Sequence, residues 1–199
     1  MTDEEKTIYA IGISISKSLS PLDLSSQEID IIKRALTDAA SGRPAVKLED
    51  YTQKIQTLSQ ARAPRVLERQ KAASKAYLDK AAASPGAVKT DSGLVYREIT
   101  AGTGASPKSA DTVKVNYRGT LIDGTEFDSS YTRNEPATFP LSGVIPCWTE
   151  GLQKMKVGGK ATLVCPSDLA YGDQGRPSIP GGAALIFEIE LLDVTPAAQ

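Results

Sequence analysis

Leu121-Ile122-Asp123-Gly124-Thr125-Glu126-Phe127 is the stretch that decides the fold of the second half of this chain. Apolar and β-prone residues flank an Asp-Gly pair. A tight hairpin turn favours that pair because its glycine accepts positive φ. Strand signals continue on both sides. Val113–Tyr117 alternates ahead of the turn, and Leu94–Ile99, Ala161–Cys165 and Leu185–Leu191 are β-rich and partly alternating. The convincing helix in this half is short, near Thr149–Met155, and is entered through Val144-Ile145-Pro146. An antiparallel sheet wrapped on one short helix is an α+β arrangement.

Outward toward the N-terminus the period changes from two to about 3.6. Ile8, Ile11, Ile15 and Leu19 mark one face of a first helix, and Pro21 follows it. Ser25 with Glu28 forms a capping box for a second helix, lined by Ile29, Ile32 and Leu36 and ended by Gly42 and Pro44. A third helical segment spans residues 47–83. Leu48, Tyr51, Ile55 and Leu58 give it an apolar stripe that thins into Ala, Lys, Arg and Gln, so its second half is expected to run through solvent. Pro64 removes a backbone hydrogen bond and clashes with the preceding turn, which predicts a kink or break there. The expected domains are a helical part over residues 1–88 and a sheet part over 89–199, joined at Ala87–Thr90.

Two short amphipathic helices and a half-solvated long one make a poor core for one chain. The expectation is a homodimer interface over about residues 3–58, against the alternative of a self-contained three-helix bundle. The net charge of −1 does not suit a chain that coats nucleic acid, so no nucleic-acid partner is expected. The basic stretch Arg62–Lys80 reads as a solvated helix face, with binding to anionic surfaces as the sharper option. No run approaches the eighteen or so apolar residues of a spanning helix. The polar start has no secretory signal pattern, which fits either a cytosolic chain or one whose signal has been removed.

Tyr117, Phe127-Asp128, Phe139, Val144-Ile145, Trp148, Tyr171 and Phe187 follow one another in an order that suggests a dry pocket with aromatic walls and one carboxylate. Taken singly, each aromatic reads as core and Asp128 as a turn cap. The chain has no histidine and two cysteines, Cys147 and Cys165, eighteen positions apart. Zinc, other metals and a cysteine nucleophile are therefore not expected. The thiols read first as separate. A disulfide would need an oxidising compartment and a suitable Cα separation.

Residues 92–194 resemble the FK506-binding-protein (FKBP) type of peptidyl-prolyl cis-trans isomerase. The resemblance rests on Val115–Gly119, Gly124–Ser130, Val144–Trp148, Glu150–Met155, Gly158-Gly159, Ala170–Gly172 and Leu185–Glu188, in order over about 100 residues. The helical half is similar to the dimerisation part of the macrophage-infectivity-potentiator (Mip) and FkpA-like bacterial group, in its opening Asp3–Lys6 with Tyr9, Ala10 and Gly12 and in its helix order.

The resemblance implies an isomerase with no cofactor that acts on proline-containing unfolded or extended polypeptides and is inhibited by macrolides such as FK506 or rapamycin. It implies a homodimer joined through the N-terminal helices, in the periplasm or cell envelope, with the cytoplasm as the alternative. Carried over by motif, Asp128 and Tyr171 are the catalytic candidates. Tyr117, Phe127, Phe139, Val144, Ile145, Trp148, Ile179 and Phe187 are the substrate-binding ones. The Tyr171 hydroxyl and the Ile145 N–H would bond peptide carbonyls over a Trp148 floor. Ala137, Cys147, Arg176, a shorter Asp173–Gly182 loop and Pro64 depart from the group's pattern. The rival function is a holdase, in which a dimeric cradle binds clients and isomerase activity is incidental.

Overall fold

A computed structural model describes residues 1–197, in two compact units that divide inside one long helix, at Leu67/Glu68. The first unit is helical. It contains α1 (Asp3–Ser18), α2 (Ser26–Ala40) and the start of α3 (Thr52–Ala82). Capping boxes open both short helices, Thr2 with Glu5 on α1 and Ser25 with Glu28 on α2, so each start follows from its local sequence. Neither helix has a buried residue, and Ile8, Tyr9, Ile11, Ile31 and Leu36 all stand exposed.

The expected break at Pro64 does not occur, and α3 is continuous through it. The proline forgoes a single ladder hydrogen bond, to the Gln60 carbonyl. Arginines on either side of it tie the helix to its own unit. Arg62 donates to the Leu22 carbonyl at 2.8 Å and pairs with Glu28 at 2.5 Å. Arg65 pairs with Asp23 at 2.8 Å. The Arg62 hydrogen bond, with those at Ser25, lowers the Glu28 pKa to about 2.

The second unit begins at Glu68 with the last turns of α3. It continues into β1 (Ala87–Lys89), β2 (Val95–Thr100), β3 (Thr112–Leu121), β4 (Glu126–Ser129), β5 (Ala137–Pro140), α4 (Pro146–Leu152), β6 (Lys160–Cys165) and β7 (Leu185–Thr195). Strand order is β1-β2-β6-β7-β3-β4 in a seven-stranded sheet whose pairs are all antiparallel. The outer edge of β3 is shared, with β5 on Thr112–Val115 and β4 on Arg118–Thr120. The Asp123-Gly124 turn forms, with Gly124 at φ +83 and hydrogen bonds between Leu121 and both Gly124 and Thr125.

Alternation splits the core between the two faces of the sheet. Val113, Val115 and Tyr117 of β3 join Leu163 of β6 and Leu185, Phe187, Ile189 and Leu191 of β7 beneath α4. On the opposite face Val95, Val164 and Ala184 are covered by Leu78, with Tyr77, Ala81 and Ala82 packed around them. The second half of α3 therefore does not run through solvent. Its apolar residues are few, but Ser74 and Leu78 are buried against the sheet. Burying a leucine contributes on the order of 2 kcal/mol.

The short helix starts three residues earlier than its sequence suggests. Pro146 occupies the first turn, where its missing N–H costs nothing. Cys147 of α4 and Cys165 at the end of β6 form a disulfide across a Cα separation of 5.7 Å, both fully buried, so they are not separate thiols. The bond fixes α4 to the central sheet one residue before Trp148.

Candidate functional site

A cavity of about 430 Å³ opens between α4, the outer part of the sheet and the segment after β6. Tyr117, Phe127, Asp128, Phe139, Val144, Ile145, Trp148, Tyr171 and Phe187 all line it. These residues span 71 positions of sequence (117–187), and the antiparallel register brings them together. Tyr117 on β3 pairs across to Ile189 on β7, and Gly119 pairs with Phe187. Gly119 has a specific role here. A Cβ at that position would lie 2.7 Å from the Phe127 ring and 3.0 Å from Phe187, so only glycine lets the two rings lie over β3.

Trp148 is the hub. Its ring meets Tyr117, Phe139 and Phe187 edge to face at centroid separations of 5.0, 5.6 and 5.3 Å. Phe127 extends the set by packing on Phe187 at 5.6 Å. Edge-to-face contacts add about 0.5–1.5 kcal/mol each beyond area burial, so the floor is rigid as well as apolar. The buried Trp148 indole N–H has no hydrogen-bond acceptor among the described residues.

Asp128 is the carboxylate of this cavity, and it is held. The Tyr117 hydroxyl donates to it at 2.5 Å, and Arg133 donates to its other oxygen. Arg133 also donates to the Tyr117 hydroxyl at 2.8 Å, closing a three-member ring, and its guanidinium sits 5.6 Å from the Tyr117 ring centre. Desolvation pushes the Asp128 carboxyl up, but the bonds from Tyr117 and Arg133 together with the arginine charge outweigh it. The group lies below the ordinary Asp value. Burial, and then the bond to Asp128, push the Tyr117 hydroxyl up. The carboxylate is thus charged and oriented rather than ready to exchange a proton near neutrality.

Sequence reasoning passed over Arg133. The available signal was a cation five positions after Asp128 in a turn, where Asn134 takes φ +54. Arg176 also lines the cavity, with its guanidinium 5.0 Å from the Tyr171 ring centre. Ile179 does not line it. Its side chain is buried in the core cluster that also holds Trp148 and Phe187, while its backbone bonds reciprocally with Arg176 at 2.8 and 2.9 Å. Ile145 caps α4, where its N–H lies outside the helix's own ladder and faces no intrahelical acceptor. Among the described residues no group of three or more His, Cys, Asp or Glu side chains could hold a metal ion.

Comparison with known proteins places the sequence and fold among known relatives. Residues 104–192 match the family described as FKBP-type peptidyl-prolyl cis-trans isomerase, and residues 4–97 match the domain amino-terminal to it. The chain is 41% identical over 211 residues to the FKBP-type peptidyl-prolyl cis-trans isomerase FkpA of Escherichia coli K12, covering 99% of this chain and 78% of that protein. It is 39% identical over 207 residues to the outer membrane protein MIP of Legionella longbeachae, covering 99% and 88%. The crystal structure of FkpA from Escherichia coli superposes with a TM-score of 0.73 at 40% identity, covering 99% of each chain. With an α+β core that gathers an aromatic cavity around Trp148 and matches over nearly its whole length, the chain belongs to the FKBP-type peptidyl-prolyl cis-trans isomerase family.

Proposed function

We propose that this chain speeds rotation about X–Pro bonds of unfolded or extended polypeptides, using Asp128 and Tyr171 over the Trp148 floor, and so assists protein folding. The observation that carries the reading is an aromatic cavity whose one carboxylate is fixed by Tyr117 and Arg133. Rotation faces a barrier of about 18–20 kcal/mol set by amide resonance, and uncatalysed X–Pro exchange takes tens to hundreds of seconds. No bond has to be made or broken, so the site needs no nucleophile. The planar amide is more dipolar than the twisted one. A dry floor of Trp148, Tyr117, Phe139 and Phe187 destabilises the planar form relative to the twisted one.

Each polar group then has a defined task. The Tyr171 hydroxyl and the Ile145 N–H hold carbonyls of the flanking peptide, which selects the twisted geometry. Asp128 faces the rotating carbonyl carbon as a fixed charge. Phe127, Val144 and Phe139 grip the proline ring. Macrolides such as FK506 and rapamycin, apolar and of suitable size, compete for the same cavity.

Self-association through the helical unit fits the same picture. Ile8, Ile11 and Ile15 on α1 and Ile31 and Leu36 on α2 are exposed in a single chain, and a second copy burying them makes a homodimer. The buried disulfide suits an oxidising compartment, so the periplasm or cell envelope is favoured over the cytoplasm. A relative described as an outer membrane protein supports the same placement.

The test is a protease-coupled X–Pro tetrapeptide assay on the full chain, with and without FK506, beside an aggregation assay. Acceleration that FK506 abolishes is expected. No acceleration on any tetrapeptide would sink the isomerase reading. Protection from aggregation that survives Asp128→Ala separates a holdase contribution from catalysis.

A further inference from the structure

The cavity wall that carries Tyr171 and Arg176 runs from Tyr171 into a loop with no regular secondary structure, spanning Gly172 to Gly182. The feet of the loop are tied to each other, the Gly182 N–H donating to the Gly172 carbonyl at 2.9 Å. Above them the Gly175 N–H donates to the Tyr171 carbonyl at 3.1 Å, and Arg176 stacks on the Tyr171 ring. The position of the Tyr171 side chain therefore depends on where those feet stand.

What holds the feet lies about 100 positions away in sequence. Ser74 of α3 is 5% exposed. Its hydroxyl donates to the Gly182 carbonyl at 2.8 Å and accepts from the Ala184 N–H at 2.8 Å. One side chain thus satisfies two buried backbone groups where the loop enters β7. Three residues earlier, Lys71 reaches the other foot and pairs with Asp173 at 2.8 Å. Four residues after Ser74, Leu78 packs on Val95, Val164 and Ala184 and sets the depth of the helix on the sheet. Residues 71, 74 and 78 share one helical face, so a rigid element grips both ends of the loop at once.

We propose that Ser74, assisted by Lys71, is a positioning residue for the isomerase reaction, setting the Tyr171 wall of the cavity through the feet of the Gly172–Gly182 loop. The proposal rests on the isomerase reading above. Ser74 touches no substrate. Its removal leaves the Gly182 carbonyl and the Ala184 N–H without partners in a buried position. Both groups then regain partners only by moving toward water and taking the loop with them. Displacements of about 1 Å in groups that orient a substrate are enough to cost up to 100-fold in rate.

The experiment is a double-mutant cycle on the full chain with Ser74→Ala and Tyr171→Phe, read as kcat/KM on an X–Pro tetrapeptide beside urea denaturation. Ser74→Ala is expected to lower kcat/KM about fivefold at temperatures where the protein remains folded, and to cost nothing further once Tyr171 is already Phe. Full multiplication of the two effects, or a Ser74→Ala protein that is less stable but turns over normally, overturns the proposal.

A second arm uses the exposed pair, which puts folding at little risk. Lys71→Glu is expected to lower kcat/KM about twofold and Lys71→Glu with Asp173→Lys to restore it. An unchanged rate in the single variant overturns the assisting role. Wild-type turnover is measured in the same series, so failure of the isomerase reading shows as an inactive parent, and failure of the positioning role as an active parent with additive variants.

Discussion

The helical unit and the sheet unit handle apolar surface in opposite ways. Leu94, Val113, Val115, Leu163, Leu185 and Leu191 are completely buried within the sheet unit. In the helical unit α1 and α2 bury nothing, and Ile8 and Tyr9 are 61% and 62% exposed. The sheet unit closes its core with its own chain. The helical unit leaves an apolar face exposed. On the proposed assignment, catalysis and assembly draw on separate sets of residues, so each is expected to be perturbed without the other.

The largest expected effect is on assembly. Ile11→Asp with Ile15→Asp places two charges on the exposed α1 face and is expected to weaken self-association by roughly 100-fold or more while leaving kcat/KM on tetrapeptides unchanged. Sedimentation across a concentration series measures it. A wild type that remains monomeric at every concentration would remove the assembly half of the contrast.

The next effect concerns where one unit ends. Residues 89–199 alone lose the Leu78 cover of the second sheet face, whereas 68–199 keep it. The shorter fragment is expected to be less stable by about 3 kcal/mol in urea denaturation. Equal stability would mean that the last turns of α3 contribute nothing to the sheet unit. Replacing Cys147 and Cys165 with Ala is expected to cost a similar amount, about 3 kcal/mol for a loop of this length, and to loosen the Trp148 floor, whose fluorescence reports on it.

Smaller effects belong to the chemistry. Asp128→Ala is expected to lower kcat/KM about tenfold, equivalent to about 1.4 kcal/mol, without abolishing turnover. A folded but wholly inactive variant would point to proton transfer instead. The pH profile follows from the same arrangement. The Asp128 pKa is lowered, so its charge is present above the ordinary Asp value of about 4 and is lost only as pH falls through the lower folded value. The Tyr117 pKa is raised, so its hydroxyl stays protonated past about pH 10. Accordingly, kcat/KM is expected to vary by less than about twofold between about pH 5.5 and about pH 8.5. A tenfold step near neutrality would reveal a titrating group in the reaction.

Much of this molecule was legible in its residues. The Asp123-Gly124 turn, the Ser25–Glu28 capping box and the alternation of Val113–Tyr117 are local signals, settled by backbone sterics and side-chain period within a few positions. The order of Phe127-Asp128, Trp148 and Tyr171 carried the family resemblance and with it the cavity, although Ile179 turned inward to the core. Tertiary structure decided what depends on partners distant in sequence. Arg62 and Arg65 anchor α3 on both sides of Pro64, and Leu78 and Ser74 find the back of the sheet. Arg133 reaches Asp128 and Tyr117 through a turn, and Cys147 meets Cys165 because α4 crosses β6. Sequence period shows that a face is apolar, or nearly so. Which surface it meets depends on how the elements pack, and that packing is a property of the whole chain.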